Sequence, residues 1–380
     1  MIYFDNSATT FPSNRVRSVI NEYLADEVSG NPGSLHTLGV NADRLYNECA
    51  ADIAGLLGAS ADEIIFTSCA TESANTAIRG YLSRNKRAGS RVISTATEHK
   101  ATLECLDLLK EQGYEIVYLP VNKEGKPDLN MLEEELGKGD VALLCFTYVN
   151  NETGSVLPIN EINGIRNKIS RGTAIYLDAV QALGKIRIDL KKMGVDMCSF
   201  SGHKIHSVKG TGILYLRSGV RIDPLIYGGG QQKNMRSGTQ SLLLAKAFEE
   251  ALKEASEKME DSHKTVSEIN AYLRSELAKR GAVILSAEDS VPYVLNVSFR
   301  SFESETMLHC LEMYDIYVST VSACSSKAKK VSYVLLACGV DRKIAANAVR
   351  LSFSRYNTMD EAREFIKAVD EIYDRFLVLH

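Results

Sequence analysis

No stretch of this sequence could cross a bilayer as a helix. The longest uninterrupted apolar runs, such as Val141-Ala142-Leu143-Leu144-Cys145-Phe146, fall far below the roughly 20 residues that spanning requires. None of the eight cysteines stands at C-x-x-C spacing from another, which argues against structural zinc and a disulfide framework and predicts reduced thiols. Basic charge is not concentrated. The 44 Lys and Arg are outweighed by 48 Asp and Glu for a formal charge of −4, and beyond Ser326-Lys327-Ala328-Lys329-Lys330 there is no basic block, so direct nucleic-acid binding is not expected. The opening residues lack a basic stretch followed by a long apolar segment, which predicts a cytoplasmic protein without a secretory signal. Internal repeats and low-complexity segments are absent. So are a G-x-G-x-x-G after the first strand and a Walker lysine, which excludes solenoids and the common nucleotide-binding dehydrogenases and kinases.

What remains is the composition of an ordinary globular protein: 380 residues, 45% apolar and 24% charged. At roughly 150 residues per domain, that length predicts about two to three domains. Between about residues 60 and 220, short β-rich runs alternate with helical patterns, the signature of an α/β domain with a mostly parallel sheet. Seven strands are predicted at Glu63 to Thr67, Arg91 to Thr95, Glu115 to Leu119, Val141 to Phe146, Ala174 to Asp178, Val195 to Ser199 and Thr211 to Leu216. Helices are predicted at Thr71 to Leu82, His99 to Gln112 and Leu129 to Leu136 from apolar residues recurring every three or four positions. A long helical stretch from Thr239 to Lys279 reads as the connector to a smaller α+β domain. The division predicted is a large domain over residues 15–255 and a small one formed by 1–14 with 256–380.

The chemistry-bearing residues cluster at predicted strand ends. Asp178 closes one strand and Lys204 follows the next, 26 residues on, and the C-terminal ends of parallel strands are where α/β proteins bind ligands. Pyridoxal 5'-phosphate requires such a pair: a lysine for the Schiff base, and an acid that keeps the pyridine nitrogen protonated so that the ring accepts carbanion electrons. The segment Thr67-Ser68-Cys69-Ala70-Thr71-Glu72-Ser73 sets small hydroxylic residues at a strand-to-helix junction, where free N–H groups and the positive dipole end could seat a phosphate. Ser201 and His203 could add donors. Taken singly, each feature has an ordinary explanation, since lysines mostly decorate surfaces and Ser or Thr at a helix start mostly caps it.

The order of motifs along the chain resembles the class V aminotransferases of pyridoxal-phosphate fold type I, and within them the cysteine desulfurases of the NifS/IscS type. The resemblance runs through Tyr3-Phe4-Asp5-Asn6-Ser7-Ala8-Thr9-Thr10, Asn31-Pro32-Gly33-Ser34-Leu35-His36, Ala70-Thr71-Glu72-Ser73, Thr97-Glu98-His99-Lys100 and Val149-Asn150-Asn151-Glu152-Thr153-Gly154. It continues through Ser201-Gly202-His203-Lys204, Gly228-Gly229-Gly230-Gln231, Arg236-Ser237-Gly238-Thr239 and Val321-Ser322-Ala323-Cys324-Ser325-Ser326. The last of these separates desulfurases from their relatives.

That resemblance implies a role for each matching residue. Lys204 would carry the cofactor, Asp178 would pair with its pyridine nitrogen, Gln181 would touch its phenolic oxygen, and His99 would lie against the ring and move protons. Ala70, Thr71, Ser201 and His203 would hold the phosphate, with Thr239 reaching the phosphate of a neighbouring subunit in a homodimer. Asn151 would orient cofactor and substrate, and Arg355 would clamp the substrate carboxylate with its planar fork. Arg350 would serve structure. Cys324, among Ser, Ala and Lys, would take sulfur from L-cysteine as a persulfide, leave L-alanine, and pass the sulfur from a mobile loop to an iron–sulfur scaffold, a tRNA-thiolation enzyme or a thiamine-pathway carrier. The chain departs from the family pattern at Cys69, at His206-Ser207-Val208 and at Val321. Selenocysteine cleavage, transamination, or a weakly active sulfur-transfer scaffold are the competing readings.

Overall fold

The computed structural model describes residues 1–25, 30–299, 301–320 and 331–377. After a short β1 (Ile2–Tyr3), the strands β2 (Ile64–Thr67), β3 (Arg91–Thr95), β4 (Glu115–Leu119), β5 (Val141–Thr147), β6 (Ala174–Asp178), β7 (Met197–Ser201) and β8 (Gly212–Leu216) follow. β2 to β8 form one seven-stranded sheet in the order β2-β8-β7-β6-β5-β3-β4, in which β8 alone runs antiparallel to its neighbours. The mostly parallel seven-stranded sheet expected from the sequence is present.

Its central strands are apolar on both faces because helices cover both. Along β5 and β6, Leu144, Phe146, Ile175 and Leu177 join one hydrophobic cluster, while Leu143, Cys145, Ala174 and Tyr176 join another. The chain therefore reads as continuous apolar runs rather than as alternation. β7 begins two residues later than its predicted start at Val195, since Asp196 is occupied otherwise: its side chain accepts the Ile175 N–H at 2.7 Å and pairs with Arg217. The strand extends instead to Ser201, opposite Gly212. At Gly212 a Cβ would stand 2.6 Å from the Cys69 carbonyl carbon, so only glycine lets β8 pass this close to the loop that starts the next helix.

The remaining strands, β9 (Val283–Ile284), β10 (Val294–Ser298), β11 (Ile316–Tyr317), β12 (Ser319–Thr320) and β13 (Ala348–Ser352), belong to the C-terminal third. Four of them make an antiparallel sheet ordered β12-β13-β10-β9. The long helical stretch is two helices, Leu242–Glu257 and Met259–Lys279, meeting at Lys258. The first packs on Asn14–Ala25 and Thr37–Leu57, the second on Met359–Leu377.

The N-terminal segment joins the two sheets. β1 pairs with β11 and Asp5 bridges to Ser352; the chain then crosses over so that Thr10 N–H bonds His203 O and Ser13 N–H bonds His206 O, each at 2.9 Å. Among the described residues, no helix is long and apolar enough to cross a membrane.

Candidate active site

β6 and β7 are adjacent and parallel, so their C-terminal ends open side by side. A cleft of about 270 Å³ lies there, and Ala70, Thr71, His99, Asn151, Asp178, Gln181, Ser201, His203 and Lys204 all line it. Nine sequence-predicted residues from five separate segments thus meet in one place.

Asp178, the last residue of β6, is buried, and among the described residues its carboxylate takes one hydrogen bond, from Val180 N–H at 3.0 Å. Burial raises its pKa, opposed by His99, that N–H and Lys204. A buried carboxylate with so few donors favours a cationic partner. His99 caps the helix Lys100–Glu111 with its ring: Nδ1 accepts the Ala101 N–H at 3.1 Å, which leaves the proton of the neutral imidazole on Nε2.

Behind this pair sits Glu98, also buried. Its two carboxylate oxygens accept from the Thr95 and Thr147 hydroxyls, each at 2.6 Å, and Thr147 is the β5 residue in register with Asp178. Burial pushes Glu98 up to about 8, against those hydroxyl bonds and with the help of the Asp178 charge.

Lys204 ends the single helical turn Gly202–Lys204 that follows β7. Its Nζ donates to the carbonyls of Ser7 and Ala8, both at 2.6 Å. Burial, followed by the charge of Arg350, pulls its pKa down to about 8, while Asp5 and Asp178 pull the other way. The amine is therefore far easier to deprotonate than a surface lysine.

At the other end of the cleft the helix Ala70–Arg84 presents its first turn, whose leading N–H groups have no partner within the helix. The Ser201 hydroxyl is buried with no hydrogen-bond partner among the described residues, an arrangement that costs stability unless a ligand supplies an acceptor. His203 Nδ1 lies 3.1 Å from Thr9 Oγ1, and burial, Lys204 and Lys209 depress its pKa to about 4, so near neutrality it is an uncharged partner. Glu72 does not spoil the seat for an anion. Burial raises its pKa, but hydrogen bonds from Arg236 and Ser68 outweigh that and hold the carboxylate ionised and paired.

Asn151 owes its place to Asn150, whose Oδ1 accepts the N–H groups of Glu152 and Thr153 while its Nδ2 bonds Thr97 O, tying the turn to the loop before His99. Gln181 Nε2 bonds Ser7 O at 3.0 Å. Arg350 pairs with Asp5 and donates to Asn151 O, a bracing position.

Two predicted residues lie away from the cleft. Thr239 is exposed, and Arg355 lines an adjoining cavity of about 30 Å³ that shares Lys204 with the main cleft. There Arg355 Nη2 is 2.9 Å from Glu254 Oε2, and the guanidinium stacks on Tyr356 at 4.9 Å. Cys324 falls outside the described residues.

Sequence reading missed Glu98, Lys185 and Glu254, three buried charged side chains, and the carbonyls of Ser7 and Ala8. Proximity to recognised residues was the available signal: Glu98 precedes His99, and Lys185 follows Gln181 by one helical turn's spacing.

The profile of the class V aminotransferases matches residues 2–365. A "NifS/IcsS protein homolog" of Lactobacillus delbrueckii subsp. bulgaricus is 40% identical, covering 99% of this chain and 98% of the relative. A "Cysteine desulfurase IscS" of Methanosarcina thermophila is 36% identical, over 98% of this chain and 92% of that one. Among solved structures, a "NifS-like protein" superposes with a TM-score of 0.93 at 38% identity, covering 99% of this chain and all of the other.

Proposed function

The chain belongs to the class V aminotransferase family, and on that footing we propose that it is a cysteine desulfurase, which converts L-cysteine to L-alanine and keeps the sulfur as a persulfide on Cys324. The observation that carries the reading is the meeting of the Lys204 amine and the buried Asp178 carboxylate in one cleft at neighbouring strand ends.

Pyridoxal 5'-phosphate suits this cleft. The unpartnered Ser201 hydroxyl and the first N–H groups of the helix Ala70–Arg84, with Thr71 and His203, offer donors to a phosphate, and the sparsely bonded Asp178 carboxylate offers itself to a protonated ring nitrogen. When bound, the cofactor supplies an electron sink for negative charge developing at the substrate's α-carbon.

The chain's own residues do the rest. Asp178 would hold the proton on the ring nitrogen, Gln181 would touch the phenolic oxygen, and His99 would lie against the ring. Lys204 Nζ, with a pKa near 8, takes the α-proton and returns it. Asn151 orients the reacting groups, and Arg355 receives the substrate carboxylate. The Cys324 thiolate attacks the substrate sulfur; the Cβ–S bond breaks, its electron pair passes to carbon and is protonated as alanine, and the new S–S bond stays on the enzyme.

Thr239, exposed on this chain, would reach the phosphate of a second copy in a homodimer. The persulfide passes to an acceptor protein, an iron–sulfur scaffold or a tRNA-thiolation enzyme.

The test is product formation from L-cysteine with a reducing thiol, comparing the parent with Cys324→Ser at equal cofactor loading. Equimolar alanine and sulfide from the parent, lost in the variant, is the expected result. Full activity in Cys324→Ser, or a parent that makes no alanine, would refute the persulfide route.

A further inference from the structure

Lys185 is a buried lysine that the reaction as described does not use. It lies four residues beyond Gln181 in the turn after β6. Gly184, just before it, adopts φ +68°, and a Cβ there would stand 2.8 Å from Ala255 Cβ, so the turn lies directly against the helix Leu242–Glu257. Lys185 is sealed in as a result. Among the described residues no carboxylate pairs with its amine; the neighbouring ring of Tyr293 has its centroid 6.0 Å away. Burial, with the charges of Lys204 and Arg350, pulls the Lys185 pKa down to about 7, and such groups concentrate at functional positions.

Its one strong contact leads to the cleft. Lys185 Nζ donates to Gln181 Oε1 at 2.5 Å, and Gln181 Nε2 donates to Ser7 O, the same carbonyl that accepts from Lys204. The lysine amine keeps N–H donors whether charged or neutral, and a backbone carbonyl can only accept, so Ser7 O fixes Nε2 as the end of the amide that faces it. The Gln181 amide is thus gripped at both ends, in one orientation, and the second N–H of Nε2 is left for the cleft that Gln181 lines.

We propose that Lys185 is a positioning residue that acts through Gln181, locking its amide so that Nε2, rather than Oε1, faces the phenolic oxygen of the cofactor. The inference rests on the reading of Gln181 as that oxygen's neighbour. A donor at this oxygen withdraws its negative charge and weakens its hold on the proton it shares with the nitrogen of Lys204. The proton between that oxygen and Lys204 Nζ would then leave at lower pH than it would if the amide were free to turn.

The experiment follows the visible absorbance of the cofactor-loaded protein across pH, without substrate, in the parent, Lys185→Met, Gln181→Leu and the double variant. Lys185→Met is expected to raise the titration midpoint by about one unit, the scale of one hydrogen bond to a charged group, and to add nothing further in the Gln181→Leu background. Lys185→Gln, which keeps a polar head but can present either end of an amide, carries the same comparison if the Met variant does not retain cofactor. Equal shifts from Lys185→Met in both backgrounds would overturn the inference, because Lys185 would then act by its charge alone. So would a parent-like midpoint in Lys185→Met beside a shifted Gln181→Leu. If Gln181→Leu itself titrates like the parent, the placement of Gln181 at the phenolic oxygen fails and the inference falls with it, while the roles of Lys204 and Asp178 stand.

Discussion

The Lys204 amine and the Ser7 carbonyl share a 2.6 Å hydrogen bond that ties residues 197 positions apart in the chain. The N-terminal segment therefore caps the reactive amine, and the buried position this creates is what depresses the amine's pKa to about 8 from an ordinary 10.5. At pH 7.5 about a quarter of such amines are uncharged, against about a thousandth of surface lysines. The rate at which cofactor-free protein captures pyridoxal 5'-phosphate should accordingly rise with pH around a midpoint near 8, as measured by growth of the visible band. A rate still climbing toward 10.5 would contradict the account.

Arg355 and Glu254 approach to 2.9 Å as a charge contact, while Arg355 Nε and Glu254 Oε2 lack an aligned hydrogen bond. A substrate carboxylate must share the guanidinium with that acid. Glu254→Gln keeps an acceptor and removes the competing charge, so it should lower KM for L-cysteine about fivefold, worth ~1 kcal/mol, with kcat within about twofold. Arg355→Ala should raise KM about 30-fold or more. Steady-state alanine formation measures both. A raised KM in Glu254→Gln would instead mean that Glu254 holds Arg355 in place.

Most of the sheet was legible because the strand residues are buried on both faces, and runs such as Val141 to Phe146 admit few other readings. The start of β7 was not, because Asp196 sits in an apolar run yet spends its carboxylate on Ile175 N–H and Arg217. The long helical stretch hid a break at Lys258, a residue that leaves no signal of its own. At the site, the residues carried by motifs converge on one cleft. Three others were not read as buried for a shared reason: Glu98, although it stands inside a motif, Lys185 and Glu254 are charged, charged residues are presumed exposed, and their burial depends on how distant segments pack around them. Arg355 was recognised, but its pairing with a residue 101 positions earlier, Glu254, could not be.

Glu98 links the site to stability. Its pKa rises from 4.5 unfolded to about 8 folded, so the folded state holds this proton more tightly. Its contribution is full below about pH 4.5 and is lost as pH rises toward 8. Glu98→Gln, which is neutral throughout, should remove that part of the pH dependence. Relative to the parent, its thermal midpoint should gain several degrees between pH 5 and pH 8. Parallel pH profiles for the two proteins would show that Glu98 ionises normally in the folded state.

The claim on which the rest depends is that Lys204 is the residue that carries the cofactor. Lys185 is the stringent control, since its amine is also buried and also depressed, to about 7, and it lines the adjoining cavity with Lys204. Borohydride reduction of the loaded protein, proteolysis and peptide mass mapping distinguish them. The account predicts one pyridoxyl-modified peptide, carrying the label on Lys204, and none from Lys204→Ala. Label on Lys185, or undiminished labelling in Lys204→Ala, would contradict it.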